Sequence, residues 1–195
     1  MHDIVVVGNG TSVLKLKKGE WIDRHKTVVR INSAKIIDAE TTGLKLNVWS
    51  TAHAGHLCGD AFNGDIVAVL ANVKPGSDKA SEIKQRIGNK NIDLFFLENA
   101  TKSWLVKEYR AVTGRHNSFP TTGLVTLAHY LFDMFLKIDC IGFDGMIPGR
   151  IKGTIRSIHY GHKKKLPGAS PHNPKAELHF LQKWHNEERI NWIHE

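Results

Sequence analysis

The stretch "SPHNPKAE" places His172 five residues ahead of Glu177, at the edge of an apolar-periodic run that continues to Trp184. A histidine titrates near pH ~6.5, so it is matched to accepting a proton at neutral pH. Two more imidazoles, His159 and His162, lie in the basic stretch "IHYGHKKK". Histidines gathered in this way serve as metal ligands, phosphate contacts or general bases, although a solvent-facing loop histidine is the commoner fate of any one of them. Glu177 falls in the first turn of its helix, where an acid complements the helix dipole in any protein, so a structural role and an orienting role stand side by side.

Two further segments carry groups suited to anions. "IVVVGNGTS" reads as a buried strand ending in a turn formed by Gly8, Asn9 and Gly10. Such a turn presents backbone N–H groups at the carboxyl end of a strand, but Gly and Asn also favour turns with no ligand at all. It is neither G-x-G-x-x-G nor a P-loop. "FPTTG" sets Thr121, Thr122 and Gly123 ahead of a long apolar helix. One of the two threonines caps that helix, and its positive end suits an anion. In "TVVRINSA" a strand ends on Arg30 and Asn32. If it runs parallel to the first strand, the Asn32 amide comes beside the Gly-Asn-Gly turn.

The elements that must hold these groups alternate. Runs Ile4–Val7, Thr27–Ile31, Leu46–Trp49, Ile66–Ala71, Leu94–Leu97 and Ile138–Phe143 read as strands. Lys79–Gly88, Trp104–Gly114, Thr122–Leu136 and Pro174–Ile193 read as helices, the third with Leu124, Leu127, Leu131 and Phe135 as a core-facing stripe. Asn173 and Pro174 form a ready helix start. Alternation of this kind predicts an α/β sandwich around a largely parallel sheet.

The 195 residues, 41% of them hydrophobic, suit one domain spanning 1–195. Within it, 144–173 reads as a basic, Gly- and Pro-rich loop bordering the site. The net charge of +8 favours anionic partners: nucleotide phosphates, acidic glycans or nucleic acid. Arg150, Lys152, Arg156, Lys163, Lys164 and Lys165 are the candidate contacts to an anionic acceptor. No apolar run approaches the roughly 18 residues of a membrane span, and a cytoplasmic protein is expected. Cys58 and Cys140 have neither disulfide-scaffold nor zinc-ligand spacing and read as buried free thiols. No D-x-D pair occurs, so no metal or other cofactor is expected.

In this order the segments resemble the motifs of the eukaryotic-type sialyltransferases, glycosyltransferase family 29. "VVVGNGTSVLK" with the later R-x-N of "VVRINSA" resembles the long motif, which implies nucleotide binding by Gly8, Asn9, Gly10 and Asn32. "FPTTGLVTLAHYLFDMFLKIDCIGFDG" resembles the short motif, which implies that Thr121, Thr122, Gly123 and Gly142 complete the nucleotide pocket. "IHYGH" resembles the third motif through His159 and Tyr160 and departs from it at Gly161 and His162. The role implied for His159 is contact with the leaving phosphate. "HNPKAE" fits the H-x4-E motif, which implies His172 as the general base with Glu177 in support. The bacterial sialyltransferases of family 42 look similar at the first strand and turn but fit the P-T-T-G helix less well.

The resemblance implies a single Rossmann-like α/β/α sandwich, a GT-A-like variant of the sialyltransferase type. It implies an enzyme: a metal-independent inverting transferase using a nucleotide-sugar donor, CMP-linked, with a glycan or lipooligosaccharide acceptor. Asp3 and Met134 stand near the places of the family's disulfide, a loss that fits a bacterial or phage source. Two other readings are carried. One is a phage-type enzyme that glycosylates DNA, using another nucleotide sugar. The other is a nucleotide or nucleic-acid binding module without chemistry.

Overall fold

The structure, a computed structural model, describes residues 1–32, 36–52, 66–88, 91–97, 100–144 and 172–194. Seven strands, β1 (Ile4–Val7), β2 (Thr27–Ile31), β3 (Val48–Thr51), β4 (Ala68–Ala71), β5 (Asp93–Phe96), β6 (Ile138–Ile141) and β7 (Ile190–Ile193), form one sheet in the order β5-β4-β3-β2-β1-β6-β7. Every neighbouring pair is parallel. A parallel sheet is covered on both faces, which is why runs such as "IVVV" are apolar without alternation.

One face, carrying Val6, Val29, Ile31, Val48, Leu70 and Cys140, packs under α4 (Ala100–Thr113), α5 (Thr122–Ala128) and α6 (Pro174–Asn186). On the other face Val5, Val7, Val28 and Ile141 meet the short α1 (Ser12–Leu16) and α2 (Gly19–Asp23). Trp49, Val69 and Ala71 on that same face meet α3 (Asp78–Ile87). The expected α/β/α sandwich is therefore present. Strand order reverses at β1, with β2 on one side and β6 on the other, and the crevice for a ligand in such a sheet lies at the carboxyl ends beside that reversal.

Four sequence-based expectations need correction. The expected strand Leu46–Trp49 forms at Val48–Thr51, and neither α1 nor α2 was anticipated. The helix expected over Pro174–Ile193 stops at Asn186, and the chain turns through Glu188, at φ 54, into edge strand β7. The long helix from Thr122 keeps α-helical spacing only to Ala128, then widens over His129–Asp133, where the Met134 N–H reaches the His129 carbonyl at 3.1 Å. The wider turn breaks the angular repeat, and Phe135, at φ 53, projects outward with 87% of its surface exposed. It is not a core residue. Of the cysteines, Cys140 is a buried free thiol that burial pushes well above the usual thiol range, while Cys58 lies outside the described residues.

The reversal at β1 is held by two glycines in backbone contact. A Cβ on Gly8 would sit 2.4 Å from the Gly142 carbonyl oxygen, and Gly142 itself has φ +76. Gly142→Ala therefore meets both backbone strain and a clash with Gly8, 2.8 Å from its carbonyl oxygen. In urea unfolding we expect it to lose about 2 kcal/mol or more. Gly114→Ala, at the end of α4 and also at positive φ but with nothing within 4 Å, is expected to lose only about 1 kcal/mol of strain. Equal losses at the two positions would mean that the contact between the glycines carries no stability.

Candidate active site

The site gathers at the carboxyl ends of the strands, where α5 and α6 both begin. Asn173 caps α6, its Oδ1 accepting from the Lys175 and Ala176 N–H groups at 3.0 and 3.3 Å, with Pro174 in the first turn. Such a cap contributes ~1 kcal/mol. The buried Tyr109 of α4 clasps the same residue: its hydroxyl donates to the Asn173 carbonyl at 3.1 Å and accepts the Asn173 N–H at 2.7 Å. One residue earlier, His172 Nδ1 lies 2.8 Å from the Phe119 carbonyl oxygen. That oxygen can only accept, so Nδ1 carries a hydrogen, and in the neutral ring Nε2 is the nitrogen with the lone pair.

Phe119 belongs to the segment leading into α5. There Thr121 is the cap, its Oγ1 accepting the Leu124 N–H at 3.2 Å. Glu177 reaches across from α6 and takes both donors of Thr121, the N–H at Oε1 and the hydroxyl at Oε2, each at 2.9 Å. Glu177 is 3% exposed. Burial pushes its carboxyl up to about 7, and the hydrogen bonds from Thr121 oppose the rise without cancelling it. Glu177 thus joins two helix starts rather than only complementing its own helix dipole. Thr122 and Gly123 follow in the first turn of α5, and a Cβ on Gly123 would press on the Phe143 ring at 2.8 Å.

At the Gly-Asn-Gly turn the two glycine N–H groups are already engaged. The Gly8 and Gly10 N–H groups bond the Ile141 and Gly142 carbonyls at 2.8 and 2.7 Å. Asp144 accepts from the Ser12 N–H at 3.0 Å and from the Ser12 hydroxyl. The glycines are thus needed for close approach: a Cβ on Gly10 would meet the Asp144 carboxyl at 2.4 Å. What the turn does offer is Asn9. Its Nδ2 donates to the Ile31 carbonyl at 3.0 Å, while its buried Oδ1 has no partner among the described residues. A buried acceptor in that condition costs about 1–3 kcal/mol unless a ligand donates to it. Asn32 ends β2 in left-handed backbone at φ 52, beside this turn as expected from the parallel pairing. Arg30 does not join them, because its side chain runs to the Lys45 and Thr42 carbonyls on the opposite face.

Of the site residues expected from sequence, Gly8, Asn9, Gly10, Asn32, Thr121, Thr122, Gly123, Gly142, His172 and Glu177 converge on these strand ends. His159, Tyr160, Arg150, Lys152, Arg156, Lys163, Lys164 and Lys165 lie outside the described residues. Sequence reasoning missed Tyr109, Phe119 as the acceptor for His172, and Asp144. Their partners are distant along the chain, and only the "GFDG" context of Asp144 carried any signal.

The sequence model of glycosyltransferase family 29 (sialyltransferase) matches residues 2–48. No curated protein matches the sequence. Among solved structures, the fold is similar to that of a mammalian sialyltransferase, at 16% identity and a TM-score of 0.62 over 98% of this chain and 68% of that one. A mammalian sialyltransferase in complex with Gal-beta-1-3GalNAc-ortho-nitrophenol gives 15% identity and a TM-score of 0.59, again over 98% and 68%. The sialyltransferase CstII from Campylobacter jejuni, in complex with the substrate analogue CMP-3FNeuAc, gives 14% and 0.60 over 99% and 81%. At these identities the structural likeness is one of fold. The family match covers the first two strands, and over nearly the whole chain the fold is similar to that of solved sialyltransferases.

The buried Glu177 carboxyl predicts a pH dependence. Its folded value, about 7, lies above the ordinary 4.5, so the folded protein binds the proton more tightly than the unfolded chain. The stabilisation is complete below 4.5 and is lost as pH rises through 7. Urea unfolding across this window should show the parent chain losing stability relative to Glu177→Gln. Parallel curves would mean that Glu177 titrates alike in both states.

Proposed function

We propose that this chain is a metal-independent inverting transferase that moves sialic acid, or a related acidic sugar, from a CMP-linked donor to a hydroxyl of a glycan or lipooligosaccharide. The observation that carries the reading is the tautomer of His172. With Nδ1–H held by the Phe119 carbonyl, Nε2 has the lone pair of a base beside the two helix starts of a sialyltransferase-like fold. The CMP-linked donor is supported by CstII, which is described with CMP-3FNeuAc, and the glycan acceptor by the disaccharide derivative bound to the mammalian enzyme. No observation favours a DNA acceptor or a module without chemistry. A cytoplasmic location is part of this proposal.

In the proposed step, Nε2 of His172 takes the acceptor hydroxyl's proton as its oxygen bonds the anomeric carbon and the bond from that carbon to the phosphate oxygen breaks. CMP leaves with the electron pair and a negative charge, opposite the attacking oxygen, which inverts the centre. Preorganised donors lower the energy of that charge: the start of α5 at Thr122 and Gly123 and, by the family resemblance, His159. Asn9 and Asn32 hold the nucleotide, and the unmatched Asn9 Oδ1 supports that assignment because a cytosine amino group or a ribose hydroxyl would donate to it.

His172→Ala is expected to slow transfer from CMP-sialic acid by about 10²–10⁴-fold. CMP affinity should stay within about twofold, as read by calorimetry. Transfer that survives the substitution would remove His172 as the base. In a second measurement, activity after exhaustive EDTA treatment should match the untreated protein, and a loss restored by Mg²⁺ or Mn²⁺ would end the metal-independent reading.

A further inference from the structure

Arg110 of α4 has no role in the motifs. Its guanidinium carbon lies 4.7 Å from the centroid of the Phe119 ring, a stacking contact. The side chain is partly exposed, makes no ion pair among the described residues, and its Nε–H finds no acceptor there. The opposite end of the same residue, the Phe119 carbonyl, holds His172. Phe119 therefore carries a fixed base on its backbone and a fixed cation on its ring. Its ring is 43% exposed, so the cation stacks at the surface rather than in the core.

In a sialic acid the carboxylate is attached to the anomeric carbon itself. A base placed to serve attack at that carbon is necessarily near the carboxylate. A stacked guanidinium keeps its planar fork pre-organised and lightly hydrated, which suits a carboxylate. The arginine that does lie in the motifs, Arg30, is turned to the opposite face. We propose that Arg110, stacked on Phe119, binds the carboxylate of an acidic sugar beside His172 and so makes the site selective for acidic sugars. The inference rests on the reading of this chain as a CMP-sugar transferase.

Two sources of that carboxylate are distinguishable: the donor sugar, or a sialylated acceptor. Calorimetry of CMP and of CMP-sialic acid, with the parent chain, Arg110→Gln and Arg110→Lys, addresses the first. If Arg110 binds the donor, Arg110→Gln leaves CMP affinity unchanged and weakens CMP-sialic acid by roughly tenfold or more, the scale of one charge-assisted pair. Arg110→Lys, which keeps the charge and loses the fork, falls between. If Arg110 binds the acceptor, donor affinity is unchanged, and KM rises for sialyllactose but not for lactose. Arg110→Gln matching the parent chain in both assays overturns the proposal, as does an equal weakening of CMP and CMP-sialic acid. A parent chain that binds neither compound instead fails the transferase reading itself, and the Arg110 inference with it.

Discussion

The hydrogen bonds from Thr121 to Glu177 are the interaction on which the site depends. The two residues are far apart in sequence, and each belongs to the first turn, or the cap, of a different helix. Without a fixed relation between those helix starts, His172 ahead of one and the first turn of the other would have no common geometry. A carboxylate accepts both donors of one threonine, N–H and O–H, and Thr121 Oγ1 still has a lone pair left to cap Leu124. One side chain thus closes α5 and anchors α6. The Tyr109 clasp on Asn173 and the His172 contact to Phe119 repeat the arrangement within a few residues, so α4, α5 and α6 are laced together at one end.

Burying that carboxylate has a cost, visible in the rise of its proton affinity. A structural acid would ordinarily sit at the helix surface, where the dipole helps it and water solvates it. Glu177 is under α5 instead, and the loss of hydration is offset by the two hydrogen bonds from Thr121. This is why Gln is not an equivalent replacement: an amide presents one acceptor and one donor to a threonine that offers two donors. The same argument explains the choice of threonine at residue 121, where valine would match the shape but leave a buried oxygen of Glu177 unmatched.

Much of this was legible beforehand. The apolar runs fixed five of the central elements, since buried parallel strands have little choice of composition, and Asn173–Pro174 marked the start of α6 correctly. Chemistry-bearing residues were legible where they sit in turns, because turn residues are few and specific. What escaped depended on contacts between distant segments. Tyr109 and Phe119 look like ordinary aromatic residues until Asn173 and His172 are placed against them. The Gly-Asn-Gly turn suggested free backbone donors, yet β6 arrives as a neighbour and takes the two glycine N–H groups, leaving Asn9 as the residue that can meet a ligand. The end of α5 was misread because widening of a helix by one residue per turn leaves no mark in a hydrophobic pattern.

The two ends of the sheet differ in how completely their polar groups are matched, and that difference separates stability from function. At the amino ends, buried Asp139 accepts from the His2 N–H, from His25 Nε2 and from Asn191 Nδ2, all within 2.8 Å. Burial alone would raise its carboxyl, but those partners outweigh it and hold the group below the usual carboxylate range. Nothing there asks for a further ligand. At the carboxyl ends Asn9 Oδ1, Asn72 Oδ1 and Arg110 Nε lack partners among the described residues, and Phe119 is partly open to solvent. A fold gains no stability from leaving such groups unmatched. Unmatched groups at the carboxyl ends, against a fully matched Asp139 at the amino ends, are what a binding crevice requires: donors and acceptors fixed by the fold before the ligand that uses them arrives.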